Sequence, residues 1–301
     1  MFTDAQGKKR LKIGLHTHTT LSDGKKTPEE TARIYAAAGY DAVALTDHWV
    51  YGEAKVIEGL QILSGCEYNV GGNDARDAVY HIVGIGMERD PGLTKELRDD
   101  PAMSSAEKAK IIIRSIRDAS GLAVLAHPAW SLNTPAQCLA IGDFDATEIY
   151  NSVSEQGMSD RPYSGLIVDM LASENGFDKP LLATDDAHYY TGDECRGMVM
   201  VEADAAEEMG LVAAIRAGKF YATQAPEVHL SRGEDGNIHL ACSQASKIVF
   251  FSNVVWTRGR VVRGEGLTEA TYAPYPNDVF VRAEVTDADG NCAWSNIIRL
   301  D

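Results

Sequence analysis

The chain has few positive charges, no long apolar run and no paired cysteine motif. Its 28 lysine and arginine residues are outnumbered by 44 aspartate and glutamate residues, which gives a formal net charge of −16. This balance argues against binding to nucleic acid or to an anionic membrane. No run reaches the length of a membrane span, and residues 1–10 lack the apolar core of a signal peptide. The five cysteines form no CxxC pair, which predicts reduced thiols and a cytoplasmic location.

The sequence also lacks the glycine-rich and nucleophile motifs that mark many enzymes. It contains no Walker loop, no GxGxxG run and no nucleophile elbow. It likewise has no internal repeat and no low-complexity segment. With 301 residues and 45% hydrophobic content, the chain is predicted to be globular and to form one large domain or two smaller ones.

Strand and helix patterns alternate through residues 1–225. Strand patterns occur at 11–15, 41–46, 61–64, 79–85, 122–126, 146–150 and 181–184. Two of the helix patterns between them begin with capping boxes, Thr27–Glu30 and Ser104–Glu107. The alternation predicts βα units around a mainly parallel sheet, and about seven such units favour a barrel over an open sheet.

The pattern changes after Pro226, where short strands separated by turn residues take over. These strand patterns lie at 227–230, 237–241, 247–251, 279–286 and 297–300. They predict a small antiparallel β-sandwich packed on the barrel. We therefore divide the chain into a barrel domain, residues 1–225, and an all-β accessory domain, residues 226–301.

Residue types that commonly bind metals follow the first strand pattern. His16 and His18 lie two residues apart at its end, so their imidazoles point the same way. Asp23-Gly24 is a turn signal that can return a carboxylate toward them. Two nitrogens and an oxygen that converge suit a divalent metal ion. On this stretch alone, a surface histidine pair beside a loop is an equally good interpretation.

Further candidate ligands occur at corresponding places in other βα units. His48, His127 and His188 each follow a strand pattern, and so do Glu67 and Asp186. In βα barrels, side chains at the carboxyl ends of the strands converge on one mouth, where active sites lie. One histidine at such a place is more often structural, but the repeated placement favours a shared metal site.

These motifs resemble those of the PHP family, named after polymerase and histidinol phosphatase. The resemblance rests on His16-Thr17-His18, Asp23-Gly24, Thr46-Asp47-His48, Gly65-Cys66-Glu67, His81 followed by Ile82-Val83-Gly84, His127-Pro128 and Asp186-Ala187-His188. The motifs occur in the family's order within residues 13–190, and Ala214–Tyr221 extends the match. Where the family usually has Gly-Ser-Asp-Ala-His, this chain has Thr184-Asp185-Asp186-Ala187-His188. The spacing to His188 favours Asp186 over Asp185 as a ligand.

The resemblance implies a distorted (β/α)7 TIM-like barrel that binds two or three divalent metal ions. It assigns the first metal to His16, His18, Glu67 and Asp186. It assigns the second metal to Asp23, His48 and His188. It assigns the third metal to His81 and His127, with Glu67 as a bridge. All nine residues are expected to be metal-binding and catalytic. Imidazole and carboxylate ligands suit zinc, manganese or iron.

The expected chemistry is the hydrolysis of a phosphoester. Neighbouring metals can activate a shared hydroxide near neutral pH and stabilise the attacking and leaving oxygens. Their positive charge would also attract a phosphoryl group into an acidic protein. Arg161, Arg196 and Asn151 lie near the predicted mouth and are candidates for substrate binding. For each arginine, a surface ion pair is the competing interpretation.

We therefore expect a metal-dependent phosphoesterase that acts on a small phosphorylated metabolite, a phosphomonoester. Family members that cleave nucleotide phosphates often carry a long insertion between the positions of His81 and His127. Only residues 82–126 separate them here, so that substrate class is not transferred. The alternatives are a non-enzymatic regulatory or binding module with structural metals and a different metal-dependent hydrolase. A polymerase-associated nuclease is disfavoured because the chain lacks a basic stripe. The sequence leaves the oligomeric state open.

Overall fold

The computed structural model describes residues 2–72, 77–157 and 159–300, which form a mixed α/β fold. The helices in these ranges are α1 Pro28–Ala37, α2 Lys95–Asp99, α3 Ser105–Asp118, α4 Pro135–Ala140, α5 Gly165–Asn175 and α6 Glu208–Arg216. The first nine strands are β1 Phe2–Thr3, β2 Lys9–Gly14, β3 Ala42–Ala44, β4 Lys55–Ile57, β5 Leu60–Leu63, β6 Gly65–Val70, β7 Tyr80–Ile85, β8 Leu122–Leu125 and β9 Ala146–Asn151. The later strands are β10 Leu181–Thr184, β11 Met198–Glu202, β12 Phe220–Thr223, β13 Val228–Arg232, β14 Ile238–Phe251, β15 Val261–Tyr272, β16 Phe280–Thr286, β17 Cys292–Trp294 and β18 Ile298–Arg299.

Both predicted capping boxes are confirmed at helix starts. The Thr27 and Ser104 side chains accept hydrogen bonds from the backbone N–H groups of Glu30 and Glu107, whose carboxylates accept from the cap backbone in return. These reciprocal bonds satisfy N–H groups that have no partner within the helix. The apolar residues of α3 recur at helical spacing and are buried against β7 and β8. No helix in the described ranges is both long enough and apolar enough to span a membrane.

The strands pair into two sheets. The larger sheet has thirteen strands, ten of which run in the order β13-β14-β16-β17-β12-β11-β2-β3-β5-β4. The other three pair with members of this series: β1 with β2, β15 with β14 and β18 with β16. The smaller sheet has five strands in the order β10-β9-β8-β7-β6. Strands β2, β3 and β5 run parallel, as do β8, β9 and β10. Strand β7 runs antiparallel to β6 and β8, and β11 runs antiparallel to β2 and β12.

The expected distorted (β/α)7 TIM-like barrel is not a closed barrel here, because the strand ladders of the described residues form two separate sheets. The chain crosses from one sheet to the other at Ser64, the single residue between β5 and β6. Gly65 follows, where an added Cβ would lie 2.6 Å from the Leu45 carbonyl oxygen, so a larger residue would clash at this corner. Glu67 consequently lies within β6 and not after the strand predicted at 61–64.

The two sheets share one apolar core. Ile13 and Leu63 of the larger sheet are buried in the same cluster as Val83, Val124 and Leu182 of the smaller sheet. Two isolated bridges also connect the sheets, one from residue 17 after β2 to residue 187 after β10, and one from residue 48 after β3 to residue 67 within β6. The packed sheets therefore bring the segments that follow β2, β3 and β10 together at one end of the core.

The C-terminal strands pair antiparallel, as expected, but they continue the larger sheet through the β12–β17 pair. Arg282 of β16 is fully buried and donates to the Asp169 carboxylate of α5 at 2.6 and 2.9 Å. It also pairs with Glu284 and stacks on Phe251. These contacts attach the C-terminal strands to a helix of the first part of the chain.

Candidate metal centre

Nine side chains from separate segments converge at the end of the shared core. They form three overlapping groups, and within each group the candidate ligand atoms all lie within 4.8 Å of one another. The first group is His16, His18, Glu67 and Asp186. The second group is His18, Asp23, His48 and His188. The third group is Glu67, His81 and His127. The structure thus brings together every residue for which the sequence predicted a metal-ligand role.

The first group is the most deeply buried and the most compact. The Nε2 atoms of His16 and His18 lie 3.2 Å apart. Each of these atoms lies 3.0–3.3 Å from Glu67 Oε2 and from Asp186 Oδ1. A tetrahedral metal with ligand distances of about 2.0–2.1 Å has neighbouring ligand atoms about 3.3 Å apart. The spacing of these four side chains therefore suits a divalent ion between them.

The second group lies closer to solvent. Asp23 Oδ1 is 3.4 Å from His188 Nε2, and Asp23 Oδ2 is 3.8 Å from His48 Nε2. The Asp23 side chain is 56% exposed, so this group forms the outer part of the centre. His48 Nδ1 lies 3.2 Å from Glu67 Oε2, which connects the second group to the first.

The third group shares Glu67 with the first. Glu67 Oε1 lies 2.7 Å from His81 Nδ1 and 3.6 Å from His127 Nε2, while its other oxygen faces the first group. His127 Nε2 also lies 3.5 Å from Asp186 Oδ2. One carboxylate thus borders all three groups, as a bridging ligand would.

Asp47 holds the loop that returns Asp23 to the centre. Its buried carboxylate accepts hydrogen bonds from the backbone N–H and the hydroxyl of Thr19 and from the same two groups of Ser22. At Gly24 an added Cβ would lie 2.4 Å from the His18 carbonyl oxygen. The turn predicted at Asp23-Gly24 therefore depends on glycine and on Asp47, whose role the sequence did not reveal.

Glu148 of β9 orients His16. Its Oε1 accepts a hydrogen bond from His16 Nδ1 at 2.7 Å, which leaves the His16 Nε2 lone pair directed at the first group. Its Oε2 accepts from the backbone N–H of His127 and from the Asn151 side chain. The sequence indicated only that Glu148 faces the sheet, because nothing local marks its partner. A carboxylate behind a ligating histidine is a common support in metal sites.

Asp185 lies outside the ligand groups. Its buried carboxylate accepts from the Tyr35 hydroxyl and from the backbone N–H groups of Cys195, Arg196 and Gly197. Burial raises the pKa of Asp185 to about 6 despite these donors. Asp185 thus fixes the segment after β10, and the neighbouring Asp186 faces the ligands, as its spacing predicted.

Two residues of the centre have strained backbones. His127 and Asp186 have φ values of 27° and 54°, in a region that side-chain-bearing residues rarely adopt. Each follows a strand of the smaller sheet, and the unusual φ turns the chain sharply there. Such strain persists where surrounding contacts hold it and clusters at functional sites.

The electrostatics of the centre favour positive charge between the carboxylates. Burial alone would raise the pKa of Glu67, but His48, His16 and other histidines hold it well below its usual range. Burial alone would lower the pKa of His18, but Asp186 and Glu67 outweigh it and raise that pKa to about 9. A divalent cation would supply this positive charge in place of protons.

Three buried ligand atoms have no hydrogen-bond partner in the described part of the chain. They are His48 Nδ1, Glu67 Oε2 and Asp186 Oδ1. Leaving polar atoms buried without partners is costly, and each of these atoms faces candidate ligands of the first group. The nitrogen and oxygen donor set also suits a transition metal. The residues therefore fit the metals that the sequence predicted.

A cavity of about 250 Å³ opens onto the centre. It is lined by candidate ligand side chains, by Trp130 and Tyr189, and by Val153, Ser154 and Ser159. The three predicted substrate-binding residues are not among its lining residues. Arg161 is exposed, and Arg196 forms a 2.7 Å ion pair with Glu155.

Asn151, the third of these residues, is buried beside the centre. Its side-chain nitrogen donates to Glu148 and to Asp186, at 2.8 and 3.2 Å. Its side-chain oxygen accepts from the backbone N–H and the hydroxyl of Ser154. Asn151 thus connects the carboxylate behind His16 to a ligand of the first group.

Comparison with known protein families shows which family the chain belongs to. The PHP domain profile matches residues 14–199, which is more than half of the chain. The chain belongs to the PHP family. The match covers the segments that carry all nine candidate ligands and ends within β11. A search of the curated proteins finds no match for this PHP protein.

Solved structures include similar folds. A two-domain protein from Bacteroides vulgatus, described as containing a predicted PHP-like metal-dependent phosphoesterase, aligns with a TM-score of 0.52 and 16% identity over 99% of this chain and 98% of its own. An amidohydrolase from Chromobacterium violaceum with bound sulfate and no metal aligns with a TM-score of 0.43 and 20% identity, over 60% of this chain and 89% of its own. A protein from Bifidobacterium adolescentis, proposed to be a metal-dependent phosphoesterase, aligns with a TM-score of 0.41 and 16% identity. This alignment covers 58% of this chain and 87% of that protein. At 16% identity, the similarity to the Bacteroides vulgatus protein concerns the fold alone.

Proposed function

We propose that this PHP protein hydrolyses a small phosphomonoester at a centre of two or three divalent metal ions. The observation that carries the proposal is the convergence of three overlapping ligand groups at the floor of an open cavity. A carboxylate shared between neighbouring groups is typical of metals that act together on one substrate. Zinc, manganese and iron all suit the imidazole and carboxylate donors.

The three groups divide the roles among the nine residues. His16, His18, Glu67 and Asp186 would hold the inner metal, and the group of Asp23, His48 and His188 would hold the outer one. His81 and His127 would hold a third metal, with Glu67 as the bridge. The metals would supply positive charge for the phosphoryl oxygens and would lower the pKa of a water nucleophile toward neutrality.

The remaining residues of the site act by orientation. Glu148 and Asn151 hold His16 and Asp186, and Asp47 holds the loop of Asp23. Substrate binding by Arg161, Arg196 and Asn151 stays a prediction. For the two arginines, the test is whether Arg161→Ala and Arg196→Ala have a lower kcat/KM than the wild-type protein.

We also propose the finer assignments that the sequence suggested. The fold is a distorted relative of the (β/α)7 barrel, in which residues 1–225 carry the chemistry and residues 226–301 form an accessory β domain. The protein acts in the cytoplasm on a phosphorylated metabolite. A different metal-dependent hydrolase and a non-enzymatic module with structural metals remain the alternatives that the experiment must separate.

Phosphate release from 4-nitrophenyl phosphate tests the proposal. The protein with added manganese, zinc or iron should release phosphate. His16→Ala should lower the metal content, and it should lower the rate by more than about 100-fold. The effect should exceed that of losing a residue that only supports a ligand, because His16 is itself a candidate ligand. His239→Ala is the matched control, since His239 is exposed on β14 and outside the centre.

The outcome separates the candidate functions. A protein that holds its metals but hydrolyses neither phosphate esters nor carboxylate esters or amides with any of the three ions would be a binding module. Hydrolysis of carboxylate esters or amides in place of phosphate esters would indicate a different hydrolase.

A further inference from the structure

The cavity that reaches the metal centre has aromatic walls. Trp130 and Tyr189 are 39% and 40% exposed, and both line the cavity beside the ligand side chains. Trp130 lies nearly edge-on to the rings of His127 and His81, at centroid distances of 4.9 and 5.5 Å. The Tyr189 ring lies 6.2 Å from the ring of His188. The two aromatic rings therefore stand beside different ligand groups of one centre.

Short segments connect both aromatic residues to candidate ligands. Trp130 comes three residues after His127, in the turn that follows β8, and Tyr189 directly follows His188. The second segment is held by Asp193, whose buried carboxylate accepts from the backbone N–H groups of His188 and Tyr189 at 2.7 and 2.8 Å. The turn that carries Trp130 is closed by the Ser131 N–H, which donates to the His127 carbonyl oxygen at 3.1 Å. Both backbones are thus held relative to the centre, which lowers the entropy cost of binding a ligand between the rings.

The cavity offers no lysine or arginine side chain to a second charged group on the substrate. None of the described residues that line it is lysine or arginine. Its acidic lining residues are Asp23, Glu67 and Asp186, whose charges the metals would neutralise. Ser159 Oγ is buried and has no hydrogen-bond partner in the described ranges, so it is available to a neutral polar group. With the metals occupied by the phosphoryl group, an anionic substituent elsewhere on the substrate would therefore find no lysine or arginine side chain in the cavity to pair with.

The size of the cavity limits the substrate further. Its volume of about 250 Å³ is below the ~300–1,000 Å³ of typical small-molecule sites. We propose that the substrate is a phosphomonoester whose alcohol part carries one planar, uncharged ring, and that Trp130 and Tyr189 bind this ring. The proposal rests on the phosphoesterase function proposed above and adds the chemical class of the leaving group.

Two phosphomonoesters with the same type of leaving group test the planar ring. Benzyl phosphate and cyclohexylmethyl phosphate both release a primary alcohol, and they differ in whether the six-membered ring is aromatic. The metal-loaded protein should show a kcat/KM about two- to tenfold higher for benzyl phosphate, the range that aromatic contacts provide. A carboxylate on the ring, as in 4-carboxybenzyl phosphate, should lower kcat/KM because no lysine or arginine of the cavity pairs with it.

The ratio of the two kcat/KM values also reports on the aromatic walls. Trp130→Leu and Tyr189→Leu should each bring the ratio closer to one, whereas Trp130→Phe and Tyr189→Phe should keep it near the wild-type value. Trp256→Leu is the matched control, because Trp256 is 90% exposed and lies outside the cavity. Any loss of metal lowers both rates together and leaves the ratio unchanged.

The outcomes separate this proposal from the function on which it rests. A wild-type ratio of one or less, or a ratio that both leucine variants retain, overturns the aromatic-ring proposal while the phosphoesterase function stands. If neither these esters nor 4-nitrophenyl phosphate releases phosphate, the proposed function is wrong and the ring proposal is wrong with it.

Discussion

At the scale of single residues, carboxylates outside the ligand groups hold the ligands in place. Glu148 accepts from His16, and Asp47 accepts from four donors of the loop that carries Asp23. Every oxygen of these two side chains has a donor in this network. Because both carboxylates are buried, a change of one oxygen to a donor group leaves a polar group unpaired.

Glu148→Gln should weaken metal binding without unfolding the protein. Both Glu148 oxygens act as acceptors, so the amide nitrogen of glutamine would face a donor and disturb His16. Loss of such a supporting partner typically costs about 10–100-fold in metal affinity. Equilibrium dialysis against zinc or manganese measures the affinity, and a thermal melt checks the fold. Glu265→Gln, at an exposed site, is the control, and wild-type affinity in Glu148→Gln would refute this role.

The convergence of the candidate ligands could be predicted because their types recur in a known order along the chain. The supporting residues could not, because their contacts join distant segments. Glu148 lies 132 positions from His16 and sits in a buried strand with no local feature that marks the pairing. The same holds for Asp47, which the sequence presents only as part of the Thr46-Asp47-His48 motif.

At the scale of elements, the contact between β16 and α5 joins the C-terminal strands to the rest of the fold. Arg282 has no exposed surface, and its guanidinium lies between the carboxylates of Asp169 and Glu284. Trp294 of β17 stacks on Tyr150 of β9 at 5.2 Å, which adds an apolar contact between the two sheets. The stability of both parts of the chain therefore depends on this interface.

Arg282→Ala should destabilise the protein by about 3–5 kcal/mol, because removing one partner of a buried ion pair leaves the remaining charges uncompensated. Urea denaturation monitored by tryptophan fluorescence measures the loss. Arg263→Ala changes an exposed arginine of β15 and should stay within about 0.5 kcal/mol of wild type. A loss below about 1 kcal/mol for Arg282→Ala would show that the interface does not depend on this residue.

Local signals predicted the elements better than their assembly. The helix starts follow from Thr27 and Ser104, whose capping chemistry lies within four residues of sequence. The split into two sheets depends on the close approach of Gly65 to Leu45 and on the reversed direction of β7. Both depend on contacts between strands, so alternation of strands and helices predicted a single barrel instead.

At the scale of the whole molecule, the chain is acidic and its five cysteines are free thiols in the structure. Burial raises the pKa of Cys66, Cys138 and Cys195 to about 12 and that of Cys242 to about 11. Burial also raises the pKa of Cys292. Since the thiolate is the reactive form, these thiols should be slow to react in the folded protein.

The native protein should therefore react slowly with a disulfide reagent such as DTNB at pH 8. Raising the pH should increase the rate, because a raised pKa means that the thiolate fraction is still growing above pH 8. Unfolding in guanidinium should release five equivalents of thiol at the rate of free cysteine. Rapid reaction of several thiols in the native protein would contradict the burial of Cys66, Cys138 and Cys242 and the raised pKa values of all five.

The metal content of the purified protein tests the central claim most directly. The account predicts two to three transition-metal ions per chain when the protein is purified without chelator and its metals are measured by inductively coupled plasma mass spectrometry. His16→Ala should contain fewer, because it removes a ligand of the innermost group. A wild-type content below one ion per chain, after supply of zinc, manganese and iron, would contradict the assignment of the nine residues as a metal centre.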